Sequence, residues 1–147
     1  MTEHGICYID GYKYQMAESG CMQTEIYPPE DINTPFYSIS KSGRIVAHSG
    51  YAWDGISGPM FNTKTMMRAS LFHDICCQAI NDGKLDPSWR PQADREFRRI
   101  AIMDGEGLGV VARQIHRVRA WYAYRAVCAY TKLRNGSKQP EIVHNAP

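Results

Sequence analysis

The sequence predicts an α+β domain in which a small N-terminal antiparallel β-sheet, built from hairpins, precedes three α-helices. The observations behind this are short apolar segments bounded by turn residues before residue 50, a Gly-rich stretch directly after them, and apolar residues at three- and four-residue spacing from there to about residue 134. A chain of 147 residues fits one domain. We expect a β-rich part at 1–50, a loop followed by helices at 51–134, and a flexible tail at 135–147.

The strand predictions rest on two hairpin signals. Asp-Gly at 10–11 is a favoured two-residue turn, and a Gly-containing loop at 41–43 is typical of a slightly longer hairpin connection. Each turn has an apolar segment on both sides. The predicted strands are 6–9, 12–16, 21–27, 36–40 and 44–48, and the sequence leaves their pairing order open.

The rest of the chain predicts three helices. The first runs from about Thr63 to Asn81, where Asp-Gly ends it, and packs antiparallel to a second that begins at Pro91 and ends near Asp104. The third, 108–134, has one apolar face opposite most of its basic residues, which is the pattern of a helix that packs on a core and leaves its basic side chains in solvent. That face comprises Val111, Ile115, Val118, Tyr122, Ala126, Ala129 and Leu133.

Composition excludes several classes of protein. Hydrophobic residues at 44% and charged residues at 22% exclude a disordered or low-complexity chain. A net charge of +2 argues against a nucleic-acid binder that works by neutralising phosphates, so no sequence-specific nucleic-acid partner is expected. Five cysteines without a CxxC pair indicate a reduced protein. We expect no signal peptide and no transmembrane segment, because no apolar run is long enough and the first residues lack the basic-then-apolar layout.

Charge is divided between the two ends of the chain. Residues 1–35 are predominantly acidic, and residues 107–147 are predominantly basic. The basic end can hold the protein on a phospholipid membrane surface or another anionic partner, attract the acidic end or a partner subunit, or remain solvated. The sequence leaves these alternatives open.

The residues that best carry chemistry are His73 and Asp74 on the first helix and Asp94 on the second. His73 lies at the edge of the apolar stripe, so it faces the seam between the helices and needs a hydrogen-bond partner, which Asp94 can supply. That contact would fix the imidazole tautomer and make His73 a general base for a water molecule. Asp74 lies 100° further round the helix and is able to bind a hard cation.

A Gly-rich loop supplies the other half of the predicted site. Backbone carbonyls at Trp53–Gly58 can approach a cation closely, because Gly55 and Gly58 have no side chain. Calcium takes six to eight oxygen ligands, so Asp74 with loop carbonyls and waters can hold it. A cation there would polarise an ester carbonyl.

Two resemblances bear on function. The sequences at 73–77 (His-Asp-Ile-Cys-Cys), 81–91 (Asn-Asp-Gly-Lys-Leu-Asp-Pro-Ser-Trp-Arg-Pro) and 92–97 (Gln-Ala-Asp-Arg-Glu-Phe) resemble the phospholipase A2 domain of parvovirus capsids. That resemblance covers about residues 51–100. Over most of the chain, the loop at 53–59 (Trp-Asp-Gly-Ile-Ser-Gly-Pro), the His-Asp helix and the Ala-Asp-Arg helix are similar to an uncharacterised family of small tailed-phage proteins.

The phospholipase resemblance implies a calcium-dependent hydrolase of lipid esters. It implies His73 as the base that activates water, Asp94 as the residue that orients it, and Asp74 with the loop carbonyls of Gly55–Gly58 as the calcium site. At the position four residues after the histidine, where that family has a tyrosine, this chain has Cys77.

The phage resemblance implies a protein of the virion or the host cytoplasm, with other phage virion proteins as possible partners. It also implies Asp54 and Ser57 as additional metal ligands or as helix-capping groups.

Two alternatives to the lipid-ester hydrolase stay open. A metal phosphohydrolase of the HD type also uses a His-Asp pair on a helix, with an earlier histidine for which His48 is the candidate, although such enzymes need more helices than this chain has room for. A non-catalytic virion, tail or host-interaction protein could retain the helix pair as a structural or metal site.

Overall fold

The computed structural model describes residues 8–9, 14–53 and 64–136, with the side chains of 14–53 and 65–129. The strands are β1 (Tyr8–Ile9), β2 (Tyr14–Met16), β3 (Gly20–Gln23), β4 (Ile32–Asn33), β5 (Tyr37–Ile39), β6 (Arg44–Ala47) and β7 (Ala52–Trp53). The helices are α1 (Lys64–Asn81), α2 (Arg90–Asp104) and α3 (Val110–Gly136), with a short 3-10 turn at Pro87–Trp89 before α2.

The strands form two antiparallel sheets, one ordered β1-β2-β7 and the other β3-β6-β5-β4. This confirms the predicted α+β class with its antiparallel N-terminal strands. Strands β4 and β7 were not predicted, and β7 lies inside the Gly-rich stretch expected to be loop. Each is two residues long, which is too short to leave a periodic pattern. The predicted turn at 10–11 lies outside the described residues.

The hairpin between β5 and β6 confirms the turn predicted at 41–43. The amide of Gly43 donates to the carbonyl of Ser40 at 3.0 Å, and Gly43 has a positive φ of 87°. A Cβ atom at this position would lie 2.2 Å from the carbonyl oxygen of Thr24. Glycine is therefore required here both by the backbone conformation and by the close approach of Thr24, the residue after β3.

Helices α1 and α2 pack against each other with opposite directions. Arg68 pairs with Asp104, and His73, which lies further along α1, pairs with Asp94, which lies earlier on α2. The two helices are therefore antiparallel. A single cluster of buried side chains extends from Met16 in β2 through α1 and α2 to Ala123 in α3. This core fixes the seam that contains the candidate site.

Helix α3 buries a different face from the one that carries its large apolar residues. Its small residues Ala120 and Ala123 are fully buried, whereas Val111 and Val118 are 74% and 55% exposed. His116 is buried as well. Its ring nitrogens find polar partners there, since they contact the carbonyl of Ala101 and the hydroxyl of Thr65. The large apolar residues therefore face away from the core, because hydrophobic spacing identifies an apolar face but not what covers it. Within the described part of the chain, none of the helices has the length and apolar character that crossing a bilayer requires.

Candidate active site

The candidate active site is a buried histidine–aspartate contact between α1 and α2. Nε2 of His73 lies 2.7 Å from Oδ1 of Asp94, and the two residues are 7% and 4% exposed. The ring of Phe97 stands edge-on to the imidazole, with centroids 5.6 Å apart. The contact predicted from the sequence is therefore present, and the catalytic roles of the two residues stay predictions.

The Asp94 contact determines which nitrogen of His73 is available for chemistry. Since Nε2 faces the carboxylate, it carries a proton, and Nδ1 is the nitrogen that can exchange one with a substrate or a water molecule. Sγ of the half-buried Cys77 lies 3.6 Å from Nδ1 and 4.0 Å from Nε2. A sulfur atom on the line of the Nδ1 lone pair would be much farther from Nε2 than from Nδ1, so these nearly equal distances place Sγ off that line. The thiol therefore does not occupy the in-plane direction along which Nδ1 accepts a proton.

The hydrogen bonds and charges around His73 and Asp94 favour the ionised form of this pair. Burial lowers the pKa of His73, but the hydrogen bond with Asp94 and the contact with Cys77 outweigh burial and raise that pKa to about 9. Burial acts to raise the pKa of Asp94, but the bonds from His73 and Arg90 hold it below its usual value. At neutral pH the pair is consequently imidazolium and carboxylate, and His73 becomes a base as the pH approaches 9.

Two further side chains hold Asp94, and sequence reasoning identified neither. Nε of Arg90, one turn earlier on α2, donates to Oδ1 at 3.1 Å. Sγ of Cys128 on α3 lies 3.6 Å from Oδ2. The four-residue spacing of Arg90 and Asp94 was a usable sequence signal. Nothing in the sequence links Cys128 to Asp94, because that contact depends on how α3 packs.

The start of the Gly-rich loop lies across the face of α1 that carries Asp74. Residues 70, 74 and 78 share this face. The indole of Trp53 donates to the hydroxyl of Ser70 at 3.1 Å, and the hydroxyl of Tyr51 donates to Oε1 of Gln78 at 3.1 Å. Burial and then the charge of Asp74 raise the pKa of Tyr51. The chain leading into the loop therefore passes beside Asp74.

The rest of the predicted calcium site lies outside the described residues: Asp54, Gly55, Ser57 and Gly58. In the ranges 14–53 and 65–129, no group of three or more His, Cys, Asp or Glu side chains is arranged to hold a metal ion. Calcium binding by Asp74, the Trp53 carbonyl and the loop stays a prediction.

His48, the histidine on which the phosphohydrolase alternative depends, follows strand β6 and belongs to a turn. Its amide donates to the carbonyl of Phe36 at 2.9 Å, and its carbonyl accepts from Tyr51 at 3.0 Å. It is thus placed by the sheet rather than by a helix.

Neither a protein-family model, nor a curated protein, nor a solved structure matches this chain. The resemblances to the parvovirus phospholipase domain and to tailed-phage proteins stay predictions. What the protein does must follow from the chemistry of its own residues.

Proposed function

We propose that this protein is a phage-encoded, phospholipase A2-like hydrolase of lipid esters that depends on calcium. The observation that carries the proposal is the 2.7 Å contact between Nε2 of His73 and Asp94, together with the in-plane direction at Nδ1 that Cys77 does not occupy. A buried carboxylate behind an imidazole is the arrangement that orients a general base and stabilises the imidazolium it becomes.

In the proposed reaction, Nδ1 of His73 accepts a proton from a water molecule as its oxygen attacks the ester carbonyl carbon. The carbonyl π electrons move to the oxygen, giving a tetrahedral oxyanion. When this collapses, the carbon–oxygen bond to the alcohol breaks and His73 returns the proton to the departing alkoxide. Asp94 keeps the ring oriented and balances the imidazolium charge, while Arg90 holds Asp94 in place.

Asp74 suits a calcium ion because its carboxylate offers oxygen ligands, which a hard cation prefers. Bound there with the Trp53 carbonyl and the loop 54–58, calcium would supply positive charge to the carbonyl oxygen. A binding test follows directly. Calcium should raise the melting temperature of the wild type and not of Asp74→Asn, since a ligand that binds only the folded chain stabilises it. The matched control is Asp86→Asn, an exposed carboxylate that caps the 3-10 turn.

The activity test is fatty-acid release from phosphatidylglycerol vesicles with calcium present. Wild type should release fatty acid, and His73→Gln and Asp94→Asn should reduce the rate at least about a hundredfold, as expected for loss of a general base and its orienting partner. His48→Gln is the control and should retain the wild-type rate. Equal loss in the His48 variant would show that the loss is not specific to the His73–Asp94 pair and would contradict the proposal.

One observation favours a second candidate function. A buried imidazole with a pKa near 9 is charged at neutral pH, and an ion pair of this kind can simply join α1 to α2. On that alternative the protein is a non-catalytic virion, tail or host-interaction protein. Calcium binding without turnover would support it. With either function, we propose a location in the virion or the host cytoplasm.

A further inference from the structure

Helix α3 carries an apolar stripe on its outer side, away from α2. The stripe consists of Val111, Ile115, Val118 and Tyr122, at spacings of four, three and four residues, and each of these side chains is between 49% and 74% exposed. The opposite side of α3, with Ala120 and Ala123, is buried. We call the four exposed residues the outer stripe. The packing of the described residues, 14–53 and 65–129, does not explain its solvent-facing position.

Two exposed arginines flank the outer stripe, Arg119 on one side and Arg125 on the other. Helix α3 contains six basic residues and no acidic one. Two of them, Arg113 and Arg117, reach back to Glu106 at 3.7 and 3.3 Å. Arg125 lies over the ring of Trp121, 5.9 Å from its centroid, so a cation and an interfacial aromatic side chain adjoin the outer stripe.

A groove between α2 and α3 lies on the other side of α3. It has a volume of about 310 Å³ and is lined by Arg95, Arg98, Arg99, Ile102 and Tyr124. Tyr124 follows Tyr122 by two residues, so it lies about 160° of helix rotation away from the outer stripe. The groove therefore does not extend the outer stripe, and the positive charge beside the stripe is that of the exposed Arg119 and Arg125.

Charge decides between the possible occupants. A second copy docked through the same stripe would bring two helices of uniformly positive charge together, which is unfavourable. A nucleic acid would engage the arginines but leave the outer stripe in water. An anionic lipid surface satisfies both, because acyl chains accept the apolar side chains and headgroup phosphates accept the arginines.

We propose that the outer stripe and the arginines beside it dock the protein on an anionic phospholipid surface. This inference rests on the proposed function, because docking would bring the lipid-ester hydrolase to its substrate. Docking and hydrolysis are nevertheless measured separately: docking is measured in the inactive His73→Asn variant without calcium, and hydrolysis on a water-soluble ester.

The test is co-sedimentation with vesicles of phosphatidylglycerol and phosphatidylcholine in equal parts, compared with vesicles of phosphatidylcholine alone. We expect at least about tenfold stronger partitioning to the anionic vesicles at low salt, falling as salt rises because exposed charges are screened. Equal partitioning to both vesicle types, or none to either, would overturn the proposal.

Two pairs of variants separate the apolar and the charged contributions. Val118→Ser with Tyr122→Ser should lower partitioning about tenfold, and the control pair Tyr27→Ser with Phe36→Ser removes equally exposed aromatic rings from the sheet without effect. Arg119→Gln with Arg125→Gln should lower it similarly, and the control pair Lys41→Gln with Lys84→Gln should not.

Light scattering and circular dichroism accompany these measurements. Unchanged helix content in the exposed-site variants shows that lost partitioning is not lost folding. A concentration-dependent dimer that the outer-stripe variants dissolve, without vesicle binding by the wild type, would overturn the lipid assignment in favour of self-association. If the wild type binds vesicles but does not hydrolyse the soluble ester, the proposed function is contradicted and the docking surface is still supported.

Discussion

The seam between α1 and α2 contains two charged pairs whose carboxylates have pKa values shifted in opposite directions. At one end Arg68 pairs with Asp104, and at the other His73 pairs with Asp94. Burial raises the pKa of Asp104 even though Arg68 stabilises its charge. Asp94 has a lowered pKa despite burial, because His73 and Arg90 both donate to it. The same seam thus joins the helices twice, but only one of its two cations, the His73 imidazolium, can release a proton as the pH approaches 9.

This comparison separates a structural contact from a candidate catalytic one. A guanidinium is permanently charged, so Arg68 can hold α1 against α2 but cannot act as a base. An imidazole held by an ionised carboxylate can do both. If the His73–Asp94 pair were needed only to join the helices, its removal would lower stability, as removal of the Arg68–Asp104 pair does, but no hydrolysis would depend on it.

The largest expected effect is at the Arg68–Asp104 pair. Arg68→Met should lower the free energy of unfolding by about 4 kcal/mol, because it leaves the carboxylate of Asp104 buried without its partner. Urea denaturation measures this. The double variant Arg68→Met with Asp104→Leu should recover most of the loss, since an apolar pair of similar volume replaces the ion pair. A loss below about 1 kcal/mol in the single variant would show that Asp104 is rescued by solvent.

The His73–Asp94 pair should instead make stability depend on pH. The pKa of His73 is raised in the folded chain from 6.5 to about 9, so the folded state binds more protons than the unfolded state between these values. Its contribution is fully present below pH 6.5 and is lost as the pH rises to 9, by on the order of 3 kcal/mol. The difference in unfolding free energy between wild type and His73→Gln, measured across this range, should shrink accordingly. A constant difference would contradict the ionised pair.

A glycine next to Asp104 tests how tightly α3 closes on this end of the seam. A Cβ at Gly105 would lie 2.0 Å from Cδ2 of His116, whereas a Cβ at Gly107 would have nothing within 4 Å. Gly105→Ala should therefore destabilise the protein by about 2 kcal/mol through displacement of the buried ring. Gly107→Ala is the matched control, and thermal melting of both variants makes the comparison. Equal melting temperatures would mean that His116 moves aside freely.

The smallest expected effect is at Arg90, whose positive charge lowers the pKa of His73. Arg90→Met should raise that pKa further above 9, because the imidazolium loses a repelling neighbour. NMR titration of the His73 ring reports the change. Arg95→Met, a change to an exposed arginine on the next turn, should leave the titration where it is. A downward shift in the Arg90 variant would show that holding Asp94 matters more than charge repulsion.

Much of this arrangement could be predicted from the sequence, and the parts that could not have physical reasons. The helix pair followed from apolar spacing and from the turn residues around 82–83 and 91. The facing of His73 and Asp94 followed from their places on two helical wheels. Strands β4 and β7 escaped prediction because two residues carry no periodicity, and their pairing depends on the sheet that recruits them.

Helix α3 shows where hydrophobic pattern is ambiguous. Its small residues, not its large ones, form the contact with α2, because Ala120 and Ala123 allow a close approach and His116 finds two polar partners there. A sequence pattern gives the direction of an apolar face relative to the helix, but the choice of face depends on shape complementarity. The contact of Cys128 with Asp94 was hidden for the same reason.

The pH dependence of lipid-ester hydrolysis tests the role of His73 most directly. With saturating calcium and phosphatidylglycerol vesicles, the rate should rise with pH as the imidazolium loses its proton, with a midpoint near the pKa of about 9. The same scan of His73→Gln should be flat and close to the background rate. A wild-type rate no higher than that of His73→Gln at every pH would contradict a catalytic base at this position, and the pair would then serve only to hold α1 against α2.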